Sequence, residues 1–368
     1  MPALQLRELS VTKKNEDQKI EDQLETLLAG LNKTFEDNDF SFAVEKDFIS
    51  KLEWLSSGNY AINYACTGNP HNAVPFGRVV SLVGDSGSGK SLLANHFIAE
   101  TQKLKGIAVL FDVERGNYIK QMEKLGINPA KLVVSGAKIL EDIFEKAIYF
   151  VKAYNDAKMT APLTIVIDSL SQASSRHEME EGFDKADMKR AQVIRKGLRM
   201  ISGLISDSKA CLIIINHQMS GMSPYGPPKV TTGGTSVEYW PSQVIEVNRS
   251  KTIKSDNDMP IGLGIRVRIA KSRFFIPFIT AKIEVYFDRG IEPTSGLFSI
   301  FEAAGVIKKV SQAGWWAFAE DLEKKYRETE IQEIIKKDIQ KYLAKIENVK
   351  VIAAGVDHVE YTEEKVKE

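Results

Sequence analysis

Short apolar runs alternate with helical patterns between residues 78 and about 290, and this alternation sets the expected fold. The first run, Arg78–Val83, is followed by five more: Ile107–Asp112, Leu132–Ser135, Leu163–Asp168, Cys211–Asn216 and Gln243–Val247. Strands that are apolar throughout are typical of a sheet buried on both faces, as parallel sheets covered by helices are. The sequence therefore predicts an α/β fold with a mainly parallel sheet.

Helical spacing marks two further segments. Within residues 187–206, apolar side chains recur every three or four positions and basic residues occupy the other sides, which predicts an amphipathic helix. Near the N-terminus, Ile20–Leu31 carries a similar apolar stripe. This second helix either packs on the protein's own core or docks on a neighbouring subunit.

The pattern changes after residue 262, where polar and apolar residues alternate. Ile265–Ile269 and Ala281–Phe287 show period two with one polar face, which predicts antiparallel strands that finish the sheet. The tail adds an aromatic cluster, Trp315–Phe318, and a charged helical segment, Leu322–Ile346. We therefore divide the chain into an N-terminal helical arm (1–45), a core (46–300) and a small C-terminal region (301–368).

Composition limits the possibilities without selecting a function. The 368 residues exceed one typical domain, and 49 basic residues balance 49 acidic ones, so any contact with nucleic acid depends on local clusters of charge. Two cysteines, Cys66 and Cys211, are too few for a disulfide framework. Because no apolar segment reaches membrane-spanning length, we expect a soluble cytoplasmic protein with no membrane partner.

The segment Gly84–Ser91 fits the pattern G-x-x-x-x-G-K-[ST] between an apolar strand and a helix. Its glycines allow backbone N–H groups to surround a polyphosphate, and the start of the helix adds positive potential. We expect Lys90 to reach the β- and γ-phosphates and Ser91 to bind Mg²⁺. A glycine-rich turn formed by chance is the alternative, and the strand and helix context disfavours it. The predicted nucleotide contacts are Gly84, Asp85, Ser86, Gly87, Ser88, Gly89, Lys90, Ser91 and Leu92.

Polar residues follow three apolar strands, where the ligands of open α/β sheets gather. Asp168 ends one strand and is the candidate to hold a metal-bound water, together with Ser91. Glu114 follows another strand and is the candidate base for the attacking water, with Asp112 as its competitor. His217 ends a third strand, where it either senses the γ-phosphate or, like Asn216, only caps the strand.

A basic cluster and two long polar connections complete the candidates. Lys271 and Arg273 share one side of an extended segment, which is either a solvated strand face or, in an oligomer, a source of cationic groups for a neighbour's phosphates. The connections span about residues 171–187, which include Arg176, and 219–236. Lys229, Thr231, Thr232, Gly233 and Gly234 in the second suit contacts to the phosphates of a single DNA strand.

Taken together, these residues resemble the RecA-family strand-exchange recombinases, and most closely the UvsX-type enzymes of T-even-like phages. The resemblance spans about residues 76–318. Its marks are Gly84–Ser91, Asp-Val-Glu114, Val-Ile-Asp168-Ser, Ile-Asn-His217, Thr-Thr-Gly-Gly234, Ala-Lys271-Ser-Arg273, Gly290-Ile-Glu-Pro and Ala313-Gly-Trp-Trp316. It implies a RecA-like P-loop ATPase core and an ATP- and Mg²⁺-dependent filament on single-stranded DNA. Such a filament pairs with homologous duplex DNA and exchanges strands in recombination and DNA repair.

The resemblance also implies residue roles. Lys90, Ser91, Asp168 and Glu114 keep the roles given above, and His217 stands where the bacterial enzymes usually have glutamine. Lys271 and Arg273 would act across a subunit interface, and the N-terminal helix would be the oligomerisation arm. The two connections would be DNA-binding loops, with Gly233, Gly234 and Thr235 at backbone contacts and Arg199 on the neighbouring helix.

The chain departs from the family pattern at two places. The aromatic residue that stacks on adenine would fall at Gln121, whereas this chain has Tyr118 three residues earlier, and Tyr118 is our candidate for the adenine contact. The first connection is acidic, with Glu178, Glu180 and Glu181. Single-strand-binding and mediator proteins are further expected partners, and the location would be the host cytoplasm if a phage encodes the chain.

Two other function classes fit the same ATPase core. One is an oligomeric RecA-like ATPase that acts on protein partners, and the other is a hexameric helicase. DNA binding and its effect on ATP turnover separate the first of these from a recombinase. Unwinding by closed rings identifies the second.

Overall fold

The computed structural model describes residues 23–34, 52–181, 186–220, 229–231, 239–311 and 313–347. The chain divides into two compact units, residues 1–52 and 53–368. The first contains helix α1 over residues 23–34, which confirms the predicted N-terminal helix, and Leu24 and Leu27 on this helix are exposed. No described helix is long and apolar enough to cross a membrane.

The second unit contains a sheet of ten strands, a small sheet of three and a pair of short strands. The strands in chain order are β1 (Trp54–Leu55), β2 (Val74–Pro75), β3 (Val79–Gly84), β4 (Ile107–Asp112), β5 (Leu132–Ser135), β6 (Leu163–Asp168), β7 (Ala210–Ser220), β8 (Lys229–Thr231), β9 (Gln243–Lys254), β10 (Pro260–Ser272), β11 (Thr280–Tyr286), β12 (Gly290–Ile291), β13 (Ile307–Ser311), β14 (Trp315–Phe318) and β15 (Asp321–Tyr326).

Nine helices lie in the described part of this unit besides a short 3₁₀ turn. They are α2 (Tyr60–Thr67), α3 (Lys90–Lys103), α4 (Ile119–Lys124), α5 (Leu140–Asp156), α6 (Arg176–Glu181), α7 (Ala186–Ile205), α8 (Leu297–Ala303), α9 (Glu328–Lys337) and α10 (Ile339–Glu347).

The large sheet has the order β12-β11-β10-β9-β3-β7-β6-β4-β5, with β8 paired to the end of β7. Strands β9, β3, β7, β6, β4 and β5 are parallel, whereas β10, β11 and β12 join as antiparallel neighbours. The predicted α/β fold with a mainly parallel sheet and antiparallel strands at its end is therefore confirmed. The carboxyl ends of β3, β4, β6 and β7 meet at one edge of the sheet.

Alternate residues of the central strands enter two hydrophobic clusters on opposite faces of the sheet. On β7, Ile213 and Ile215 belong to one cluster and Leu212 and Ile214 to the other. The first cluster includes Phe97 of α3, and the second is covered by α5 and α7. Because strand side chains alternate between faces, a strand buried on both faces must be apolar throughout, and this explains the runs in the sequence.

Three segments differ from the sequence expectation. The predicted helix over Leu322–Ile346 is wrong at its start, since β15 occupies Asp321–Tyr326 and two helices follow it. The first polar connection is partly helical, because α6 lies inside it. In the second connection, Ser220 extends β7 and pairs with Lys229 of β8. The predicted domain boundaries at residues 45 and 300 stay predictions.

Candidate active site

The loop between β3 and α3 forms the floor of the site. Helix α3 begins at Lys90, as predicted, and Gly89 caps it in the left-handed conformation, with a φ of 99°. Gly84 also has a positive φ, and a Cβ on it would collide with the backbone O of Val247. Only glycine fits at this position, because the loop crosses directly over β9.

Lys90 is 4% exposed and reaches back over its own loop. Its Nζ donates to the backbone O of Asp85 at 2.7 Å and of Gly84 at 3.1 Å. Burial lowers the pKa of Lys90, and the negative charges of Asp168, Glu114 and Asp85 oppose that effect. An ammonium so placed, at the start of a helix, is suited to bind a phosphate anion.

Asp168 ends β6 beside the loop and is 4% exposed. Burial raises its pKa, and the charges of Glu114 and Asp112 add to this effect, whereas hydrogen bonds with Ser91 and Asn117 oppose it. Its Oδ1 has no hydrogen-bond partner among the described residues, and neither has the buried Ser88 Oγ. Buried polar atoms without partners are costly, so they fit a site completed by a bound group.

This donor set suits Mg²⁺ with a nucleotide better than a metal held by protein alone. Among the described residues there is no group of three or more His, Cys, Asp or Glu that could hold a metal ion. Mg²⁺ keeps several waters and is usually bound through one or two carboxylates plus substrate phosphates. Ser91 and Asp168 are the residues that fit this role.

Glu114 follows β4 and is one-third exposed at the mouth of the site. Its Oε1 accepts a hydrogen bond from Ser169 Oγ at 2.6 Å and lies 3.2 Å from His217 Nε2. Burial favours the neutral acid, but these two hydrogen bonds, with the charges of His217 and Lys90, outweigh it and lower the pKa of Glu114. The carboxylate is therefore ionised and able to accept a proton.

Asp112, the competing carboxylate, has a different role in the structure. Its Oδ1 accepts from the backbone N–H of Gly116 at 3.2 Å, and its Oδ2 from that of Asn117 at 3.4 Å. Asp112 thus caps the turn that carries Glu114, and it is buried. This geometry favours Glu114 over Asp112 as the base.

His217 bridges Lys90 and Glu114. Its Nδ1 lies 3.5 Å from Lys90 Nζ, and its Nε2 faces Glu114. Because a carboxylate only accepts hydrogen bonds, Nε2 must carry a proton to donate to Glu114. Asn216 is buried, and its Oδ1 accepts from the His217 backbone N–H at 3.1 Å, so it holds the backbone of β7 beside His217.

One cavity of about 260 Å³ unites these side chains. It is lined by Ser86, Gly87, Ser88, Gly89, Lys90, Ser91, Leu92, Glu114, Gln121, Asp168, Ile215, His217, Leu263, Ile265, Val285 and Phe287. Gly84 and Asp85 join it through their carbonyl contacts to Lys90. The structure does not bring Tyr118 to this cavity: Tyr118 caps α4 and is 61% exposed, whereas Gln121 lies in the lining.

Lys271 and Arg273 lie together at the end of β10, away from this cavity's lining. Lys271 Nζ donates to the backbone O of Tyr239 at 2.9 Å, and Arg273 Nη2 donates to the same oxygen at 3.5 Å. The shared oxygen confirms that the two cations are on one side of the segment. Their action on a neighbour's phosphates stays a prediction.

The predicted DNA contacts are only partly within the described residues. Arg176 begins α6 and forms an exposed ion pair with Asp142 at 2.7 Å, and Arg199 is exposed on α7. Lys229 lies in β8. Thr232, Gly233, Gly234 and Thr235 lie outside the described residues, so their roles stay predictions.

Two residues that the sequence did not single out belong to the site. Ser169 contacts Glu114, and Asn117 hydrogen bonds with Asp168. Ser169 directly follows Asp168, so its position at a strand end was a usable signal. Asn117 reaches the site through the fold of the turn after β4, for which the sequence pattern gives no comparable signal. Gln121, where the resemblance places the adenine-stacking position, lies in the cavity lining.

Comparisons with known proteins agree with this geometry. A family model described as the RecA N-terminal domain matches residues 22–292. Protein RecA of Methylobacterium sp. (strain 4-46) is 28% identical over 297 residues, 80% of this chain and 78% of the relative. Protein RecA of Crocosphaera subtropica is 30% identical over 274 residues, 74% of this chain and 75% of the relative. Protein RecA of Arthrospira platensis is 31% identical over 271 residues, which are 73% of this chain and 70% of the relative.

Proposed function

The chain belongs to the RecA family of recombination and DNA repair proteins, and we propose that it is a DNA-dependent ATPase that acts as a filament. In this proposal, copies of the chain assemble on single-stranded DNA with ATP and Mg²⁺. The filament then pairs that strand with homologous duplex DNA and exchanges strands. A closer relation to the UvsX-type phage enzymes is part of the proposal, and it rests on His217 and the other sequence marks.

The observation that carries the proposal is the meeting of Lys90, Glu114, Asp168 and His217 at one cavity over the glycine-rich loop. Lys90 and the start of α3 would bind the phosphates, and Ser91 and Asp168 would hold Mg²⁺. The metal supplies charge neutralisation to the transferring phosphoryl group. Glu114, kept ionised by Ser169 and His217, orients and deprotonates the attacking water.

Hydrolysis removes the γ-phosphate and its negative charge, so a side chain that contacts this phosphate loses a hydrogen bond when ATP becomes ADP. His217 lies between Lys90 and Glu114 and ends the part of β7 that is central in the sheet. Beyond it, β7 continues to Ser220 and pairs with β8. A change at His217 would thus pass along the strand to the second predicted DNA-binding loop.

The direct test is ATP turnover by the purified chain with and without single-stranded DNA. We expect single-stranded DNA to raise turnover and to lose this effect as salt is increased, because contacts to the phosphate backbone are salt-dependent. Turnover that is unaffected by DNA, in a chain that does not bind DNA at low salt, would contradict the proposal and favour an ATPase acting on proteins.

Electron microscopy tests the assembly. With single-stranded DNA and a non-hydrolysable ATP analogue, we expect helical filaments; with the analogue alone, we expect fewer and shorter ones. Closed rings that unwind duplex DNA would instead indicate a helicase. Strand exchange between a homologous duplex and circular single-stranded DNA, with a heterologous duplex as control, tests the recombination step itself.

A further inference from the structure

A hydrogen-bonded path leads from Glu114 into the protein through the turn after β6. Its first member is Ser169, which is fully buried, whereas Glu114 is one-third exposed. Ser169 Oγ donates to Glu114 Oε1 at 2.6 Å. A short bond from a buried hydroxyl to a charged oxygen is among the stronger hydrogen bonds in proteins, so Ser169 restrains the position of the Glu114 carboxylate.

Ser171 is the second member of the path. Its Oγ lies 3.0 Å from Ser169 Oγ. Because a serine hydroxyl has a single proton and Ser169 gives it to Glu114, Ser171 must be the donor in this second bond. The two bonds therefore run in one direction, from Ser171 through Ser169 to Glu114, and each polarises the next.

Arg190 of α7 holds the backbone of this path. Its Nη2 donates to the carbonyl O of Leu170 at 2.7 Å and of Ser171 at 2.9 Å. The two carbonyls belong to the turn that contains both serines. Arg190 is the fifth residue of α7, which begins at Ala186, where the first predicted DNA-binding connection ends.

The first connection also borders Glu114 across open space. A cavity of about 450 Å³ is lined by Glu114 and Val113 on one side and by Gln172, Ser174 and Met179 of the connection on another. Movement of the connection beside Glu114 is therefore sterically possible. Such movement would act on the serine path through Arg190.

We propose that Ser169 is a positioning residue for Glu114, and that Arg190 ties this support to the start of α7, so that DNA on the first connection adjusts how firmly Glu114 is held. The inference rests on the proposed function, since it takes Glu114 as the base of ATP hydrolysis and the first connection as a DNA contact. It adds a route from DNA to the base that does not pass through His217.

The first experiment measures the pH dependence of ATP turnover without DNA in Ser169→Ala. Loss of a hydrogen bond to the charged carboxylate raises the pKa of Glu114, so the acidic limb of the kcat profile should move to higher pH. We expect kcat near neutral pH to fall at least about ten-fold, with KM for ATP within about two-fold of the unchanged chain. Ser169→Thr, which retains the hydroxyl, should restore the profile.

Ser81→Ala is the matched control, because Ser81 is a fully buried serine of β3 whose hydroxyl has no hydrogen-bond partner in the described structure. It should leave the profile unchanged. If Ser169→Ala does not fold, Ser171→Ala should shift the limb in the same direction by a smaller amount. A wild-type profile in Ser169→Ala, or in Ser171→Ala when that variant is used, would overturn the positioning role.

The second experiment tests the link to α7 with Arg190→Gln. The ratio of turnover with and without single-stranded DNA should fall at least about five-fold, while DNA remains bound. Lys196→Gln, an exposed residue of the same helix, should keep the ratio. An unchanged ratio in Arg190→Gln would overturn the link. If DNA does not stimulate the wild-type chain, the proposed function fails instead, and the pH profiles still decide the role of Ser169.

Discussion

At the scale of single residues, position along a strand predicted the site better than residue type did. Asp168 and Glu114 could be chosen from sequence because each is at a strand end or in the loop after it, and Lys90 because it begins the helix after such a loop. Parallel strands bring those points to one edge. Their mutual contacts could not be predicted, since they depend on the path of each loop. Asp112 shows the limit: it has the chemistry of a base, yet its two oxygens cap a turn.

Glu114→Gln tests the base directly. The amide keeps the size of the side chain and an oxygen that can accept from Ser169, but it cannot take a proton from water. We expect turnover to fall by about 100-fold or more, as general base catalysis is typically worth that much, while a fluorescent ATP analogue and single-stranded DNA bind as before. Single-turnover kinetics, with the chain in excess over ATP, measure the hydrolysis step.

Glu123→Gln is a suitable control for Glu114→Gln. Glu123 is an exposed carboxylate of α4, nine residues along the chain, and it is outside the lining of the phosphate cavity. Its replacement changes the net charge equally without touching the base. Normal hydrolysis by Glu114→Gln would show that Glu114 is not the base, and Asp112 would then be the remaining candidate.

At the scale of elements, a continuous apolar run determined which strands the sequence predicted correctly. The bounds of β4, β5 and β6 agree with the apolar runs, and α7 begins and ends within one residue of its prediction. In contrast, β9 was predicted only to Val247, whereas it continues to Lys254. None of its later residues is buried, and they are held by backbone pairing with β10, which leaves no apolar pattern in the sequence.

A buried histidine connects α3 to the edge strand β12, and it gives the fold a predictable pH dependence. His96 Nε2 accepts from the Ile291 backbone N–H at 3.0 Å, which requires the neutral ring. Burial, with a smaller effect from Lys103, lowers the pKa of His96 from 6.5 to about 4. The unfolded chain therefore binds this proton at higher pH than the folded chain does.

This difference in pKa makes the folded state less stable as the pH falls. The contribution of neutral His96 to the free energy of unfolding is complete above the unfolded pKa of 6.5, and it is lost as the pH falls toward the folded pKa of about 4. Between about pH 7.5 and pH 5 the loss from His96 is on the order of 2 kcal/mol. Urea unfolding at both pH values should show it, and His96→Gln, whose amide oxygen accepts but does not titrate, should reduce it.

His71→Gln is the control for this measurement. His71 is exposed, and its contact with Glu347 is at the surface, where ion pairs contribute little to stability. The variant should keep the wild-type loss of stability at low pH. A loss that persists unchanged in His96→Gln would mean that other groups cause the acid sensitivity of the fold.

At the scale of the whole molecule, the C-terminal segment shows why local patterns were insufficient. The charged stretch after Trp315 suggested one helical segment, but its first part pairs as β15 with β14. Ile331, Tyr342 and Leu343 of the helices that follow enter the same hydrophobic cluster as the residues of α3 and β11. Long-range packing of this kind overrides local helical preference, so sequence periodicity alone could not divide the segment correctly.

At the scale of the whole molecule, the proposed filament lets one copy complete the site of the next, and Lys271 and Arg273 are the groups predicted to do so. In the double variant Lys271→Ala with Arg273→Ala, we expect ATP binding to persist and DNA-stimulated turnover to be lost, because the transition-state charge lacks its cations. Arg266→Ala, an exposed arginine earlier on β10, should retain stimulation.

Mixing this double variant with Lys90→Ala distinguishes action between copies from action within one. The Lys90→Ala chain has a defective phosphate loop, but it keeps Lys271 and Arg273. In a head-to-tail contact it can supply these cations to the intact phosphate loop of the double variant, and that interface then has a complete site. Random assembly of equal amounts should form such pairs at about a quarter of the interfaces, and turnover with single-stranded DNA should recover accordingly. If the cations served only their own chain, the mixture would be as inactive as either variant by itself. Adding wild-type chain would then also fail to restore ATP hydrolysis by the double variant.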